Sequence, residues 1–203
     1  YIRGLPGDHN VVVVEGIRLH QSAMRSGPNQ YWSTVELFGS ERVEALRGTH
    51  GVLFGADAVG GIVNLLSSEP QYSNQKKTRS FEALGRASSA ENSWSAGFSA
   101  EVSSPKWFAE ISHIKRSFGD LEGGNKVGRQ KNTGYDVRGS QARLSRKLTE
   151  HANLIFGIQK NFMNDVPRTH KTIDGLTWEG LSPGKEIWRR IDQDRNLYYG
   201  RLA

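Results

Sequence analysis

Residues 93–102 alternate between apolar and polar side chains with a period of two, and this pattern constrains the fold more than any other feature. The even positions hold Trp94, Ala96, Phe98, Ala100 and Val102, and the odd positions hold serine, glycine and glutamate. Successive side chains of a β-strand point to opposite faces, so the segment is predicted to be a strand with one apolar face. We therefore expect a sheet with one apolar and one polar side.

Five further segments of the same region carry weaker strand patterns. They cover residues 81–87, 107–116, 135–144, 153–163 and 196–202. We expect the strand at 93–102 to pair antiparallel with 107–116 through the turn at Pro105. In the fourth strand the apolar positions change phase near Gly139, which predicts a β-bulge there.

The connections between these strands differ in length. Those at Pro105 and Thr149–Glu150 are short, whereas residues 117–134 and 164–194 form long polar segments. Antiparallel pairing then places both long connections at one end of the sheet and both short turns at the other. A soluble β-sandwich and an outer-membrane barrel both have such strands, and periodicity alone favours the sandwich because the barrel pattern is weak per segment.

The first 70 residues differ from the rest in net charge and in the pattern of their apolar residues. They carry a formal charge of −2, against +8 for residues 71–203. Val11–Val14 and residues 62–66 are predicted to be strands, and residues 35–46 are either a short amphipathic helix or two strands. We therefore expect a small α+β domain at 1–70, with a boundary near Pro70 and a second domain at 71–203.

The chain lacks the motifs of several function classes. It has no cysteine, its six histidines are scattered without zinc-ligand spacing, and no Gly-x-Ser-x-Gly nucleophile motif occurs. Residues 55–61 lack the glycine spacing of a dinucleotide fingerprint, and the basic residues are dispersed over turns and loops rather than gathered on one helix. We therefore expect that the protein is not an enzyme and does not bind nucleic acid. We also expect no metal site and no permanently bound cofactor.

Four short motifs occur in a fixed order along the first domain. They are Ile2-Arg3-Gly4, Val11–Arg18, Glu41–Gly48 and Leu53–Asn64. Together they resemble the plug domain of TonB-dependent outer-membrane receptors. This chain departs from the family pattern in two places: Glu15 stands where aspartate is usual, and Thr49-His50 replaces a proline-containing stretch.

The resemblance implies a mainly β protein in the outer membrane of a Gram-negative type envelope. Residues 1–70 would be the C-terminal part of the plug, and residues 71–203 about the first six strands of an incomplete 22-stranded barrel. Trp94 and Trp107 would lie at opposite membrane interfaces. The TonB-binding segment would precede Tyr1, and the chain would contact outer-membrane lipid.

The implied function is TonB-energised uptake of a scarce nutrient complex. Iron as haem or ferric siderophore comes first and cobalamin next, because residues 165–168 and 194–197 loosely resemble the haem branch. The alternative is a soluble β-sandwich that binds carbohydrate or mediates adhesion.

The resemblance also implies two groups of functional residues. The apical plug loops at 5–10 and 19–32 would contact the ligand through Asp8, His9, His20, Gln21, Tyr31 and Trp32. Their imidazole and phenol groups suit a metal-bearing or planar ligand. Arg3 and Arg47 would make ionic contacts between plug and barrel. In this chain we expect both arginines to lie exposed on one plug face, with Glu44 or Glu36 as substitute partners.

Overall fold

The computed structural model describes residues 10–19, 34–47, 54–55, 58, 60–74, 76–124, 127–168, 172–173, 182–183 and 189–203. The chain divides into two compact units, Tyr1–Pro70 and Gln71–Ala203. Regular structure in the described residues consists of β-strands. Within these ranges the structure contains no helix of the length and apolarity that a membrane span requires.

The first unit contains a four-stranded sheet. Its strands are β1 (Asn10–Val14), β2 (Ile17–Arg18), β3 (Arg42–Arg47) and β4 (Gly61–Leu66), in the spatial order β2-β1-β4-β3. β1 and β4 pair in parallel, and the other two pairs are antiparallel. Every residue of β1 is buried, as expected for a run of four valines in a central strand.

The core of this unit is small and apolar. Val11, Val13, Ala58 and Ile62 are buried together, and Phe54 packs against them. Residues 35–46, which the sequence left open between a helix and two strands, contain a single strand, the exposed edge strand β3, which begins at Arg42 and ends at Arg47. The strand interpretation is therefore correct for residues 42–46, whereas the helix and the second strand are absent from these residues.

Glu15 joins the β1–β2 hairpin to the chain that follows β4. The two-residue turn Glu15-Gly16 has φ values of 53° and 78°, as a type I′ hairpin turn requires. The Glu15 side chain then folds inward, and its carboxylate accepts a 2.6 Å hydrogen bond from the backbone N–H of Ser67. The Glu15 backbone N–H donates to the carbonyl of Leu65 at 2.9 Å. One residue thus fixes a turn and the end of a neighbouring strand.

We expect Glu15→Ala to weaken this junction. The buried N–H of Ser67 would lose its acceptor, which costs about 1–3 kcal/mol of local stability. Hydrogen exchange of the Ser67 amide measures the change directly. The matched control is Glu41→Ala, which removes an exposed carboxylate from the same unit; similar exchange rates in both variants would contradict the role of Glu15.

The second unit contains a six-stranded antiparallel sheet, and all six predicted strands are present. They are β5 (Thr78–Ser88), β6 (Ser93–Ser103), β7 (Trp107–Phe118), β10 (Tyr135–Thr149), β11 (Ala152–Arg168) and β14 (Arg189–Leu202). Their spatial order is their order along the chain. The pairing of β6 with β7 through the Pro105 turn is confirmed.

The predicted placement of the connections is also confirmed. The continuous antiparallel registers put Phe118, Tyr135, Arg168 and Arg189, the strand ends that border the two long connections, at one end of the sheet, and the turns at 104–106 and 150–151 at the other. The long connections are shorter than predicted, because β11 continues to Arg168 and β14 already begins at Arg189. They also contain two small two-stranded sheets. One pairs β8 (Glu122–Gly123) with β9 (Gly128–Arg129), and the other pairs β12 (Thr172–Ile173) with β13 (Ser182–Pro183).

The predicted bulge at Gly139 is wrong. The register of β10 runs without interruption past Gly139 against both β7 and β11. The irregularities lie instead between Lys147 and Thr149 and between Met163 and Val166. The phase of apolar residues changes because Val137 is buried on one face and Leu144 is exposed on the other. The change is in side-chain composition, not in the backbone.

Candidate functional site

One face of the six-stranded sheet is apolar and exposed. Phe81 is 71% exposed, Phe156 55% and Tyr198 62%. The same face exposes Trp94, Phe98, Trp107, Ile111, Leu144, Ile158 and Leu202. A soluble protein buries the apolar face of a sheet, and contiguous apolar surface on this scale marks an interaction site.

The opposite face of the same sheet is buried across its central strands and mixes polar with apolar side chains. Its buried polar residues, all less than 9% exposed, are Glu110, Ser112, Arg143, Ser145, Gln159 and Asn161. Its buried apolar residues are Phe108, Ile114, Val137, Ile155 and Met163. Large apolar side chains on the exposed face combined with buried charged and polar ones on the other face differ from a soluble sandwich and fit a strand surface that faces lipid.

Trp94 and Trp107 mark the two edges of the apolar surface. Trp94 lies opposite Ser117 of β7, ten residues along that strand from Trp107. At about 3.3 Å per residue and a strand tilt of about 40°, the two rings are separated by roughly 25 Å in height, which matches the apolar band of outer-membrane barrels. A cation covers each ring: Lys115 Nζ is 5.4 Å from the Trp94 centroid, and the Arg146 guanidinium is 5.1 Å from that of Trp107.

A buried ion pair organises the centre of the polar face. Arg143 on β10 and Glu110 on β7 face each other in register, and their side chains are 2% and 3% exposed. Arg143 Nε donates to Glu110 Oε2 at 3.0 Å, and a second guanidinium nitrogen contacts the same oxygen. Gln141 Nε2 donates to Oε1 at 3.3 Å, and Arg143 lies over the Phe108 ring. Both oxygens of the carboxylate are therefore satisfied.

We expect Glu110→Gln to destabilise the protein by about 3–5 kcal/mol, because it removes the buried carboxylate that the Arg143 guanidinium pairs with. Urea unfolding of the protein in detergent, followed by tryptophan fluorescence, measures the loss. The double variant Glu110→Gln/Arg143→Met should recover most of it, since no charge remains. Glu101→Gln is the control, because Glu101 lies opposite Glu110 on β6 and accepts an exposed hydrogen bond from Ser80. An equal loss of stability in Glu101→Gln would contradict the ion-pair argument.

Asp120 organises the connection at 119–134. Its Oδ1 accepts hydrogen bonds from the backbone N–H groups of Thr133 at 3.0 Å and Gly134 at 3.1 Å, and Arg129 Nε donates to Oδ2 at 3.1 Å. Partial desolvation acts to raise the pKa of Asp120, but these hydrogen bonds and the Arg129 charge together hold the pKa below its ordinary value. The ionised form therefore stabilises the loop.

The loop should loosen on acidification. A carboxyl group with a lowered folded-state pKa stabilises the fold above its unfolded pKa of about 3.9, and that contribution is lost as the pH falls through the folded value. We expect hydrogen-exchange protection of the Thr133 and Gly134 amides, corrected for intrinsic rates, to persist down to about pH 4 and to fall below it. Asp120→Asn should reduce the protection at pH 7, whereas Asp136→Asn should not.

Most of the predicted site residues lie outside the described residues. These are Asp8, His9, His20, Gln21, Tyr31, Trp32 and Arg3. Arg47 ends β3, is exposed, and forms no ion pair with any residue that the structure describes. Glu44 contacts Arg42 rather than Arg47, with 2.9 Å between Arg42 Nε and Glu44 Oε1.

Glu110 and Arg143 were not among the predicted site residues, although the sequence pattern of their strands singles both of them out. Each is a charged residue in the polar phase of its own strand. Their contact becomes visible only when the register of β7 against β10 is known. Among the described residues the structure contains no cluster of histidine, aspartate or glutamate that could hold a metal ion.

The first unit matches a known family. The model of the TonB-dependent Receptor Plug Domain matches residues 1–62, the region that carries the four motifs. Residues 1–62 are therefore a TonB-dependent receptor plug domain. The chain is 34% identical over 68 residues to the vitamin B12 transporter BtuB of Photobacterium profundum, which covers 34% of this chain and 11% of that protein.

Solved receptors share the fold of the chain. The FpvAI–pyocin S2 complex matches with a TM-score of 0.63 at 14% identity, over 95% of this chain and 24% of that one. The siderophore receptor PirA of Acinetobacter baumannii matches with a TM-score of 0.59 at 16% identity, over 80% of this chain and 25% of that one. The chain thus spans about a quarter of the length of these receptors and about a ninth of BtuB.

Proposed function

We propose that the chain belongs to a TonB-dependent receptor that resides in the outer membrane and takes up a scarce nutrient complex with energy supplied through TonB. The observation that carries the proposal is the combination of a matched plug domain with a sheet whose apolar face is exposed and whose other face buries charged and polar side chains. Lipid is a suitable environment for the exposed apolar face, and the polar interior of a barrel is a suitable environment for the other face. The role is transport, not catalysis.

The proposed ligand is an iron complex, either haem or a ferric siderophore, with cobalamin as the next candidate. The similarity to a vitamin B12 transporter and to a siderophore receptor supports this class of ligand. Haem rests only on the short stretches at 165–168 and 194–197. We assign the ligand contacts to Asp8, His9, His20, Gln21, Tyr31 and Trp32, whose side chains can contact a planar or metal-bearing ligand.

The proposed coupling is a change of order in the plug. A pull from the periplasm acts on a domain with a small apolar core, and such domains contain elements of low local stability. Arg47 is the proposed ionic contact to the barrel, and its exposed position at the end of β3 leaves its guanidinium available for a carboxylate.

Growth of a deletion strain on single nutrient sources tests the proposal. Haem, a panel of ferric siderophores and cobalamin are supplied separately, each with and without TonB. We expect growth on one source to require both the receptor and TonB. Ligand binding without any TonB-dependent uptake would contradict the proposal and favour an adhesive role.

The same strain tests Arg47 by complementation with Arg47→Ala. Loss of its ionic contact should change the uptake rate while receptor abundance in the outer membrane stays constant. Arg42→Ala is the control, because Arg42 lies on the same strand and pairs locally with Glu44. Equal uptake in Arg47→Ala and the unaltered receptor would remove Arg47 from the coupling mechanism.

A further inference from the structure

Two residues at the start of the second unit, Gln71 and Tyr72, are held on the buried face of its six-stranded sheet. Ser103 Oγ, at the end of β6, donates a hydrogen bond to the backbone carbonyl of Gln71. The Tyr72 hydroxyl hydrogen-bonds the Ser145 hydroxyl on β10, with 2.5 Å between the two oxygens. Both serines are buried. The chain that enters the second unit is therefore attached to the sheet before it forms a strand of its own.

These two contacts bridge three strands of the sheet. Ser103, Phe108 and Ser145 are neighbours in one register row across β6, β7 and β10. Neighbouring strands lie about 4.8 Å apart, so the two serines are separated by about 10 Å. Gln71 and Tyr72 therefore cross β7 at Phe108, which is itself buried. We call the two hydrogen bonds, Ser103–Gln71 and Tyr72–Ser145, the latch.

The latch encloses a short reserve of chain. Thr78 begins β5 and pairs with Ser103, the same residue whose hydroxyl holds Gln71. The chain between Gln71 and Thr78 thus leaves Ser103 and returns to it. A chain spans at most about 3.6 Å per residue, so opening the latch lets the path from Gln71 to Thr78 extend to about 25 Å.

A further hydrogen bond fixes the chain on the other side of the boundary between the units. Within the first unit, the Glu15 carboxylate accepts a hydrogen bond from the backbone N–H of Ser67. Residues 68–70 alone separate this contact from Gln71. The connection between the two units is therefore short while the latch is closed, and it gains residues 71–77 when the latch opens.

We propose that the latch is the fixed point against which a pull on the first unit acts. The inference rests on the proposed function, in which TonB exerts that pull, and adds to it the place where the rearrangement ends. Tension builds in a chain only if its far end is held. A closed latch therefore loads the first unit directly, whereas an open latch lets residues 71–77 extend first. Buried hydrogen bonds suit this role, because breaking them leaves polar groups away from water.

Single-molecule force spectroscopy of the purified protein in a lipid bilayer tests the inference. The pulling handle is attached to Leu37→Cys, an exposed position of the first unit in a chain that has no other cysteine. We expect the first unit to unfold up to the latch and the latch to break afterwards in a separate step. That step should lengthen the chain by about 20–25 Å, the reach of the path from Gln71 to Thr78.

The latch variant is Tyr72→Phe/Ser103→Ala/Ser145→Ala. It removes the side-chain hydroxyls of both contacts together, so no buried serine hydroxyl is left unpaired and the fold should be retained. In this variant the separate step should disappear and merge with the unfolding of the first unit. Ser73→Ala is the matched control, because the Ser73 hydroxyl donates to the carbonyl of Lys76 inside the same segment. The control should keep the step.

The outcomes separate the latch from the proposed function. A missing step in the unaltered protein, a step that persists in the latch variant, or loss of the step in Ser73→Ala would each overturn the inference. TonB-dependent uptake is measured in parallel, and we expect it to be slower in the latch variant than in Ser73→Ala at equal abundance in the outer membrane. Equal uptake would also overturn the inference. Absence of TonB-dependent uptake in the unaltered protein overturns the proposed function alone, because the force measurement needs no ligand.

Discussion

The second unit depends on one constraint: a sheet whose apolar face is exposed must satisfy its backbone hydrogen bonds between neighbouring strands, as a sheet in lipid has to. The registers of β5, β6, β7, β10, β11 and β14 follow this constraint, with two local irregularities in the whole sheet. Once the backbone is satisfied in this way, an apolar face can be exposed without a packed partner. Phe81, Phe156 and Tyr198 are accordingly among its most exposed residues.

The same constraint shapes the polar face. Since many apolar side chains point outward, the alternating positions include charged and polar residues, and several of these are buried beside apolar ones such as Ile114 and Ile155. A buried charge then needs a partner close by, and the register of β7 against β10 supplies one by placing Glu110 opposite Arg143. The ion pair is thus a consequence of reversing the usual sides of a sheet.

The first unit follows the ordinary rules of a soluble domain. Its central strand β1 is apolar and buried, and its core residues come from β1, β4 and the segment around Ala58. The local exception is Glu15, where a charged side chain turns inward from a hairpin to accept the N–H of Ser67. The glutamate that departs from the family pattern has a defined role, because its side chain reaches the chain beyond β4.

The sequence by itself determined the six long strands of the second unit, the short turns between them and the plug motifs of the first unit. The two-residue period at 93–102 and the run of four valines at 11–14 are local signals, so neither needs a distant partner to be recognised. The plug motifs are likewise contiguous stretches. Periodicity separates an apolar from a polar face, but it does not say which of the two is exposed.

Tertiary structure decided which face is exposed and which distant residues meet. The buried Glu110–Arg143 pair and the Glu15–Ser67 hydrogen bond each join residues from different strands or turns. The unbroken strand pairing at Gly139 was likewise visible only in the tertiary structure. The apolar residues change from one face to the other there, while the pairing of β10 with β7 and β11 continues. A one-residue change of register would separate each of these groups, and register is fixed by the whole sheet rather than by any one strand.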